Sequence, residues 1–285
     1  MLPWTDRAGR FSPLKTSVLV LAILPALYIA WRWQAGELGI RPIKEALHET
    51  GTLAIRFLIA SLAVTPLRHV TGNTRLVLAR RLIGLSALGW ALAHLSLYIV
   101  EQAGDLAKVA SEIWLRSYLT IGFVALVVLC VLGATSFDGA IRALGAERWR
   151  RIHLAAHAAA VLGLAHHLIQ SRLDVTPALV LCGLYLGLLL IRGLVKARIA
   201  LTVPVLIGVT LVAGLATVGA EIAWYASVRR VPWALMAMAQ FDIEAGIRPV
   251  WGVIAAGLGL VVARIATGGG RVGKQPARAS RATSS

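Results

Sequence analysis

Long apolar runs separated by short polar segments are the dominant pattern of this chain. An α-helix needs roughly 20 mostly apolar residues to cross the hydrocarbon core of a bilayer, and eight runs approach that length. The pattern therefore predicts an all-α, polytopic membrane helix bundle. The predicted spans cover residues 16–33, 47–66, 82–100, 118–135, 152–169, 176–191, 199–220 and 250–265.

The composition agrees with a membrane location. Of the 285 residues, 58% are hydrophobic, whereas soluble domains contain about 45–50% apolar residues. A formal net charge of +16 raises the question of nucleic-acid binding. The basic residues form no continuous face, however, and fall in the gaps between the apolar runs, which excludes that class of protein.

The distribution of Lys and Arg predicts the orientation of the bundle. With a cytoplasmic amino terminus, the cytoplasmic segments hold roughly twice as many Lys and Arg residues as the outer segments, as the positive-inside rule requires. We therefore expect a multi-pass protein of the bacterial inner membrane with both termini in the cytoplasm. The acidic loop 101–112 then lies outside.

Two segments are not predicted to span the membrane. Residues 267–285 are Gly-rich and basic and have no periodicity, which predicts a disordered cytoplasmic tail. The segment 224–248 is predicted to be an outer loop with an interfacial helix, with Trp224, Tyr225 and Trp233 at the headgroups. No internal repeat is evident.

Five of the seven histidines lie inside apolar runs. An imidazole in hydrocarbon is costly without a partner, so such residues are candidates for function. Imidazole is also a common axial ligand of haem iron. Paired histidines on neighbouring spans therefore suggest a haem clamp, and hydrogen bonds to backbone or hydroxyl groups are the simpler alternative. The five are His94, His153, His157, His166 and His167.

Depth in the membrane favours one pair. His94 and His166 both lie about 18–21 Å from the cytoplasmic ends of their predicted spans at about 1.5 Å per residue. They therefore share a level in the outer half of the membrane. His153 lies about 20 Å nearer the cytoplasm than His166, where it would help to hold a second haem.

The inner position has no evident second ligand. The residue of the third span at the level of His153 is Arg81. His157 follows one turn later on roughly the same helix face as His153, so it either replaces that ligand or supports it. Helical phase alone favours His167 over His166 as the residue aligned with His153.

Other polar residues are weaker candidates. Arg56 lies about 13 Å deep in the second span, where it either snorkels or pairs with a haem propionate. Arg80 and Arg81 either anchor the third span or bind a propionate, a flavin phosphate or a quinone headgroup. His48 either lines the site or lies at the interface as a plain helix-end residue, and His69 is interpreted as a basic loop residue.

Several cysteine, aromatic and glycine residues in the spans are also candidates for packing or for haem binding. Cys130 and Cys182 lack metal-binding spacing and are expected to be small buried hydrophobes. Aromatic side chains near span ends are typical interface anchors, but they could also stack near a cofactor. Glycines allow close helix approach, but they could also make room for a flat porphyrin. These residues are Trp90, Tyr98, Trp114, Gly84, Gly89, Gly122, Gly133 and Gly163.

Four segments within residues 40–193 resemble a known family. These segments are ALHETGTLAIRFLIASLAVTPLR, RRLIGLSALGWALAHLSLY, RSYLTIGFVALVVLCVLGATS and LGAERWRRIHLAAHAAAVLGLAHHLI. Together they are similar to the MsrQ family, the haem-binding membrane subunits of periplasmic methionine-sulfoxide reductases, within the ferric-reductase-like transmembrane superfamily.

The resemblance implies a b-type haem protein, with one or two haems bound by His94, His153 and His166. It favours His166 over His167, and it implies an aromatic residue at the position where this chain has His157. It also implies electron transfer from the quinone pool or a flavin, with FMN as a second cofactor, to a periplasmic molybdopterin reductase subunit (MsrP). The expected organisation is a six-helix core over 1–198, two extra helices over 199–266, and the tail.

The expected function is therefore outward electron transfer by a subunit that is not itself the catalytic one. Two alternatives stay open. One is a ferric-reductase-like or NADPH-oxidase-like electron carrier with another partner, although no G-x-G-x-x-G nucleotide motif follows a predicted strand. The other is a transporter whose histidines relay protons.

Overall fold

The computed structural model describes residues 4–5, 9–171, 174–242 and 246–268, and the structural statements below concern these residues. Eight helical segments are long and apolar enough to span a membrane, which confirms the predicted all-α class and the eight spans. The helices are α1 (Pro13–Gln34), α2 (Pro42–Thr71), α3 (Val77–Glu101), α4 (Leu106–Leu115), α5 (Ser117–Ala134), α6 (Asp138–His153), α7 (Ala155–Gln170), α8 (Thr176–Lys196), α9 (Val203–Val228), α10 (Trp233–Ala239) and α11 (Pro249–Ala266), and a short 3-10 turn (Thr74–Leu76) precedes α3.

Four helices form a closed ring at the centre of the bundle. α2 packs on α3, α3 on α5, α5 on α7, and α7 on α2. α3 and α7 therefore face each other diagonally across the ring, and so do α2 and α5. Side chains that project inward from α3 and α7 consequently meet at the ring axis.

Apolar side chains fill one half of the ring, from its middle to the end where α2 and α5 finish. Leu58 and Leu62 of α2 pack there with Leu132 of α5 and with Tyr185 and Leu188 of α8. α8 thus closes this half of the ring from outside. The opposite half, where α2 and α5 begin, contains the cavity described below.

α9 and α11 lie outside the ring and pack on α8 and on each other. Small residues let these helices approach closely, since Gly183 of α8 lies against Thr217 and Gly257 of α11 lies against Thr210. Each threonine hydroxyl donates to a carbonyl four residues earlier in α9, so neither is left unsatisfied. The predicted boundary between core and extension at residue 198 stays a prediction.

The segments between the spans are more helical than the sequence pattern predicts. The expected acidic loop 101–112 contains most of α4, whose first turn is capped because the Asp105 carboxylate accepts a hydrogen bond from the backbone N–H of Lys108 over 2.9 Å. An aspartate is a strong N-cap residue, so this helix start was visible in the sequence. The predicted outer loop 224–248 contains α10. The predicted tail from residue 269 onward lies outside the described residues.

The two cysteines are unpaired thiols. Cys182 on α8 is half-buried, whereas Cys130 on α5 is exposed on the outside of the bundle. The expectation of burial was therefore wrong for Cys130. An apolar run in a membrane protein presents one side to lipid, which is as apolar as the protein interior, so hydrophobicity alone does not place a residue inside.

Candidate functional site

A cavity of about 1600 Å³ opens at the end of the ring where α2 and α5 begin. Most small-molecule sites measure about 300–1000 Å³, so this space is large enough for a bulky cofactor. Its walls come from α1, α2, α3, α5 and α7, and both His94 and His166 line it. The pair that depth matching selected is therefore brought to one site.

His94 projects from α3 into this cavity and rests against α2. Its Nδ1 lies 2.8 Å from the backbone carbonyl oxygen of Leu47. A carbonyl oxygen has no proton to give, so Nδ1 carries the proton and donates it. The neutral ring therefore keeps a lone pair on Nε2, which is a form in which imidazole binds metals.

His166 projects from α7 and rests against α5 in the same way. Its Nδ1 donates to the backbone carbonyl oxygen of Tyr118 over 2.8 Å. The tautomer is thus the same as that of His94, with Nε2 unprotonated. A hydrogen bond from the second ring nitrogen to a carbonyl is the usual way in which a metal-binding imidazole is oriented.

The two imidazoles face each other across the ring axis. Their ring centroids are 6.2 Å apart and their planes are inclined by 79°. Two metal–imidazole bonds of about 2 Å, together with roughly 1 Å from each ring centre to its nitrogen, span about 6 Å. The spacing of His94 and His166 therefore suits one metal ion held between them.

Three further predicted candidates line the same cavity: His48, Arg56 and His167. The Nε2 atom of His167 is buried and has no hydrogen-bond partner in the described part of the chain. Arg56 lines the cavity, which agrees with the inward-facing alternative, and among the described residues it has neither an ion-pair nor a hydrogen-bond partner. The cavity wall thus offers unused donors beside the histidine pair.

His153 lies apart from this pair, at the end of α6 and outside the cavity. Its Nε2 is 3.2 Å from the Thr135 hydroxyl, and that hydroxyl donates its own proton to the Val131 carbonyl over 2.8 Å. The contact with the Thr135 hydroxyl therefore holds the Nε2 side of the ring in place. Trp149 stacks on the ring with centroids 4.0 Å apart.

His157 is also outside the cavity and faces α8. Its Nδ1 is 3.0 Å from the hydroxyl of Tyr185. Among the described residues no second histidine faces His153 or His157 as His94 faces His166. The structure therefore does not bring together the residues of a second histidine clamp.

The two arginines that open α3 have different surroundings. Arg81 forms an ion pair with Asp138 over 2.7 Å, at a place well removed from the cavity. Arg80 is half-buried and has no carboxylate partner among the described residues. Of the two, Arg80 is the one with a free guanidinium.

α4 and the turn after it cover the open end of the cavity. Glu112 accepts hydrogen bonds from Tyr98 of α3 and from Arg116, the latter over 3.1 Å. Arg116 also donates to the hydroxyl of Tyr118 over 3.1 Å, and this hydrogen bond raises the pKa of Arg116 above its ordinary value. This roof is therefore held by polar contacts to two of the ring helices.

Sequence reasoning missed the groups that orient the histidines. The acceptors are backbone carbonyls of Leu47 and Tyr118, which carry no pattern in the sequence. Gly51 was not singled out, although its position one turn after Leu47 permits the contact with His94. Gly122 was considered as a residue that allows close helix approach or makes room for a porphyrin, and its contact with His166 was not foreseen.

Comparisons with known proteins identify the family of this chain. Residues 50–164 match the family model described as ferric reductase like transmembrane component. The chain is 37% identical over 193 residues to the “Protein-methionine-sulfoxide reductase heme-binding subunit MsrQ” of Rhodospirillum rubrum, which covers 67% of this chain and 90% of that relative. It is 36% identical over 160 residues to the protein of the same name from Azospira oryzae, covering 56% and 69% of the two chains. No solved structure matches.

Fold and site together define a polytopic membrane bundle of the ferric reductase-like class, with a paired-histidine site inside a four-helix ring. More narrowly, the chain belongs to the MsrQ family, which confirms the resemblance found in the sequence. The matched region of the family model contains His94 and His153 and ends two residues before His166.

Proposed function

We propose that this protein is the haem-carrying electron-transfer subunit of a membrane-bound methionine-sulfoxide reductase. The observation that carries the proposal is the opposed pair of His94 and His166, each fixed through Nδ1 to a backbone carbonyl. Membership of the MsrQ family supports it, since the relatives are named as heme-binding subunits.

The residues present fit a haem on three counts. The 6.2 Å separation of the imidazole centroids leaves room for one iron that both histidines would hold. The cavity of about 1600 Å³ extends around both rings. Haem carries two carboxylates, and Arg56 and His167 supply donors in the cavity wall that no described residue uses. We assign those two residues, with His48 and Arg116 at the edge, to the propionate side.

Haem supplies reversible one-electron chemistry, and the protein sets its ligands, its polarity and its distance from other carriers. His94 and His166 would hold the iron through Nε2. The Leu47 and Tyr118 carbonyls hold the rings in orientation and raise the basicity of the imidazoles. The roof formed by α4 limits the entry of water, which keeps the charge of Arg56 effective at short range.

We propose that electrons move outward. If both termini are cytoplasmic, as the distribution of Lys and Arg predicts, the cavity lies in the outer half of the inner membrane and electrons would leave toward the periplasm. We propose a periplasmic molybdopterin reductase subunit of the MsrP type as acceptor and the quinone pool or a flavin as donor. The unpaired guanidinium of Arg80, near the cytoplasmic end of α3, is the proposed contact for a quinone headgroup or for the phosphate of FMN.

A second haem nearer the cytoplasm remains part of the proposal, with His153 as a ligand. The stacked Trp149 and the hydrogen bond to Thr135 fix the ring of His153. His157 and Arg81 are secondary candidates there. Such a haem would shorten the electron path across the bilayer.

The decisive experiment is a haem-to-protein ratio on purified protein from a haem-replete host. We compare the wild type with His94→Ala, His166→Ala and His153→Ala, and use His69→Ala as the matched control because His69 lies far from the cavity. The wild type should show Soret and α bands that dithionite reduces. His94→Ala and His166→Ala should each lose at least half of the bound haem, and His69→Ala should lose none.

The inner site is tested by the third variant. His153→Ala should lower the haem ratio while the absorption of the outer haem persists. An unchanged ratio would remove the second haem from the proposal and leave the first. A colourless wild type would contradict the whole proposal, and pH-dependent solute uptake by such protein in proteoliposomes would favour the transporter alternative.

A further inference from the structure

We propose that Gly51 and Gly122 are positioning residues for the haem, which rests on the proposed function. Each forms, with the backbone carbonyl four residues earlier, a flat surface against which one ligand imidazole lies. We call this unit of carbonyl and glycine a glycine seat. The first seat is Leu47 with Gly51, and the second is Tyr118 with Gly122.

The first seat leaves no room for a side chain. A Cβ atom on Gly51 would lie 2.8 Å from Nδ1 and 2.9 Å from Cε1 of His94. Favourable contacts between carbon atoms begin at about 3.5 Å, so even a methyl group would push the ring away. The displaced ring would then lengthen or lose its bond to the Leu47 carbonyl.

The second seat repeats the first almost atom for atom. A Cβ on Gly122 would lie 2.8 Å from Nδ1, 2.9 Å from Cε1 and 3.0 Å from Cγ of His166. The carbonyl of Tyr118 lies one helical turn before Gly122, just as the carbonyl of Leu47 lies one turn before Gly51. Because α2 and α5 are diagonal in the ring, the two seats support the two imidazoles from opposite sides.

Both imidazole rings rest on a glycine in the same way, which indicates that Gly51 and Gly122 have a role beyond helix packing. Glycines that serve packing face a neighbouring side chain of no special type, as Gly133 faces Leu88. The seats instead face the two histidines that oppose each other at 6.2 Å. The geometry points to a device that fixes ring position and the Nδ1 hydrogen bond, and through these the spectrum and reduction potential of the iron.

Without haem, a displaced imidazole has space to relax into the cavity. With haem, the ring is held by iron on one side and by the seat on the other, so the added methyl group cannot be avoided. Alanine at either seat should therefore disturb the haem far more than it disturbs the folded apoprotein. This difference separates a positioning role from a merely structural one.

The test compares Gly51→Ala and Gly122→Ala with Gly89→Ala. Gly89 lies on α3 with His94, and a Cβ there meets nothing within 4 Å. Each protein is prepared from haem-replete and from haem-depleted cells. The measurements are the haem-to-protein ratio, the low-spin electron paramagnetic resonance spectrum, the midpoint potential, and the thermal midpoint of the apoprotein.

We expect each seat variant either to lose at least half of its haem or to keep it with a shifted resonance spectrum and potential. Gly89→Ala should match the wild type in all three haem measurements. The apoprotein thermal midpoints of all four proteins should agree within a few degrees. A seat variant that fails to accumulate is replaced by the variant at the other seat, since the proposal predicts the same effect at both.

Two results would overturn the inference. The first is a pair of seat variants whose haem ratio, spectrum and potential equal those of Gly89→Ala; the proposed function would then stand, because the wild type still binds haem. The second is a fall in apoprotein stability as large as the fall in haem content, which would make the glycines packing residues. A wild type without haem would remove both the seats and the proposed function.

Discussion

Arg192 of α8 donates a hydrogen bond from Nη2 to the backbone carbonyl oxygen of Leu62 in α2 over 2.7 Å. This carbonyl lacks its usual helical partner, because the residue four positions later is Pro66, which has no N–H group. The arginine therefore supplies a donor that the proline removes. In the apolar interior of the ring, an unsatisfied carbonyl would be costly.

This relationship predicts a coupled pair of mutations. Arg192→Ala should destabilise the bundle by roughly 1 kcal/mol, the typical cost of a lost intramembrane or buried hydrogen bond. Adding Pro66→Ala restores an N–H donor for Leu62, so the double variant should recover much of that loss. Thermal unfolding in detergent, analysed as a double-mutant cycle, measures the coupling.

A matched control for this cycle is Lys196→Ala, near the exposed end of the same helix. It should leave the thermal midpoint close to that of the wild type. Strictly additive losses in the double variant would show that Arg192 stabilises the bundle by some route other than the Leu62 carbonyl.

Arg56 is predicted to tune the haem potential. A cation near the haem stabilises the added electron, so Arg56→Gln should lower the midpoint potential by roughly tens of millivolts, as expected for one charge at intermediate distance and effective dielectric. Arg229→Gln is the control, because Arg229 is exposed at the end of α9 and does not line the cavity. Redox titration followed at the α band gives both values, and equal shifts in the two variants would argue against a local effect of Arg56.

Glu221 is predicted to hold the extension together without affecting the haem. Its carboxylate is fully buried, accepts a hydrogen bond from the Gln240 amide over 2.9 Å and pairs with Arg248 over 3.5 Å. Glu221→Leu leaves both donors without this acceptor, at a cost of roughly 3 kcal/mol for a broken buried pair. Faster limited proteolysis between α9 and α11 would report the loss.

The same variant should keep the haem ratio and spectrum of the wild type, because Glu221 lies outside the ring. Glu221→Gln retains an acceptor and should be milder. Loss of haem in Glu221→Leu would instead mean that the extension helps to form the site.

Tyr98 is predicted to keep the roof of the cavity closed. Its hydroxyl donates to Glu112 of α4, so Tyr98→Phe removes one of the polar contacts that attach α4 to the ring, at roughly 1 kcal/mol. The opened roof should make dithionite reduction of the haem several-fold faster in stopped-flow experiments. Ser96→Ala is the control, since that hydroxyl donates only to the Leu92 carbonyl of its own helix; identical rates in the two variants would rule out a gating contact.

The sequence pattern predicted most of the features that depend on one helix at a time, namely its span and the depth of its residues. It placed eight spans where the structure has them, and it matched His94 and His166 by depth, since depth follows from the rise per residue. Helical phase alone favoured His167, yet His166 is the residue that faces His94. Rotation of a helix about its axis depends on packing against its neighbours, which one-dimensional spacing does not contain.

The sequence by itself determined the fold class, the spans and the candidate ligand pair, because a helix in lipid must satisfy its backbone internally and display a long apolar surface. Only the tertiary structure decided the diagonal ring, the glycine seats at Gly51 and Gly122, the separation of His153 from the paired histidines and the donor that Arg192 gives to Leu62. Each of these depends on contacts between helices distant in the chain, and most involve backbone carbonyls, which are identical in every residue and therefore leave no trace in the order of side chains.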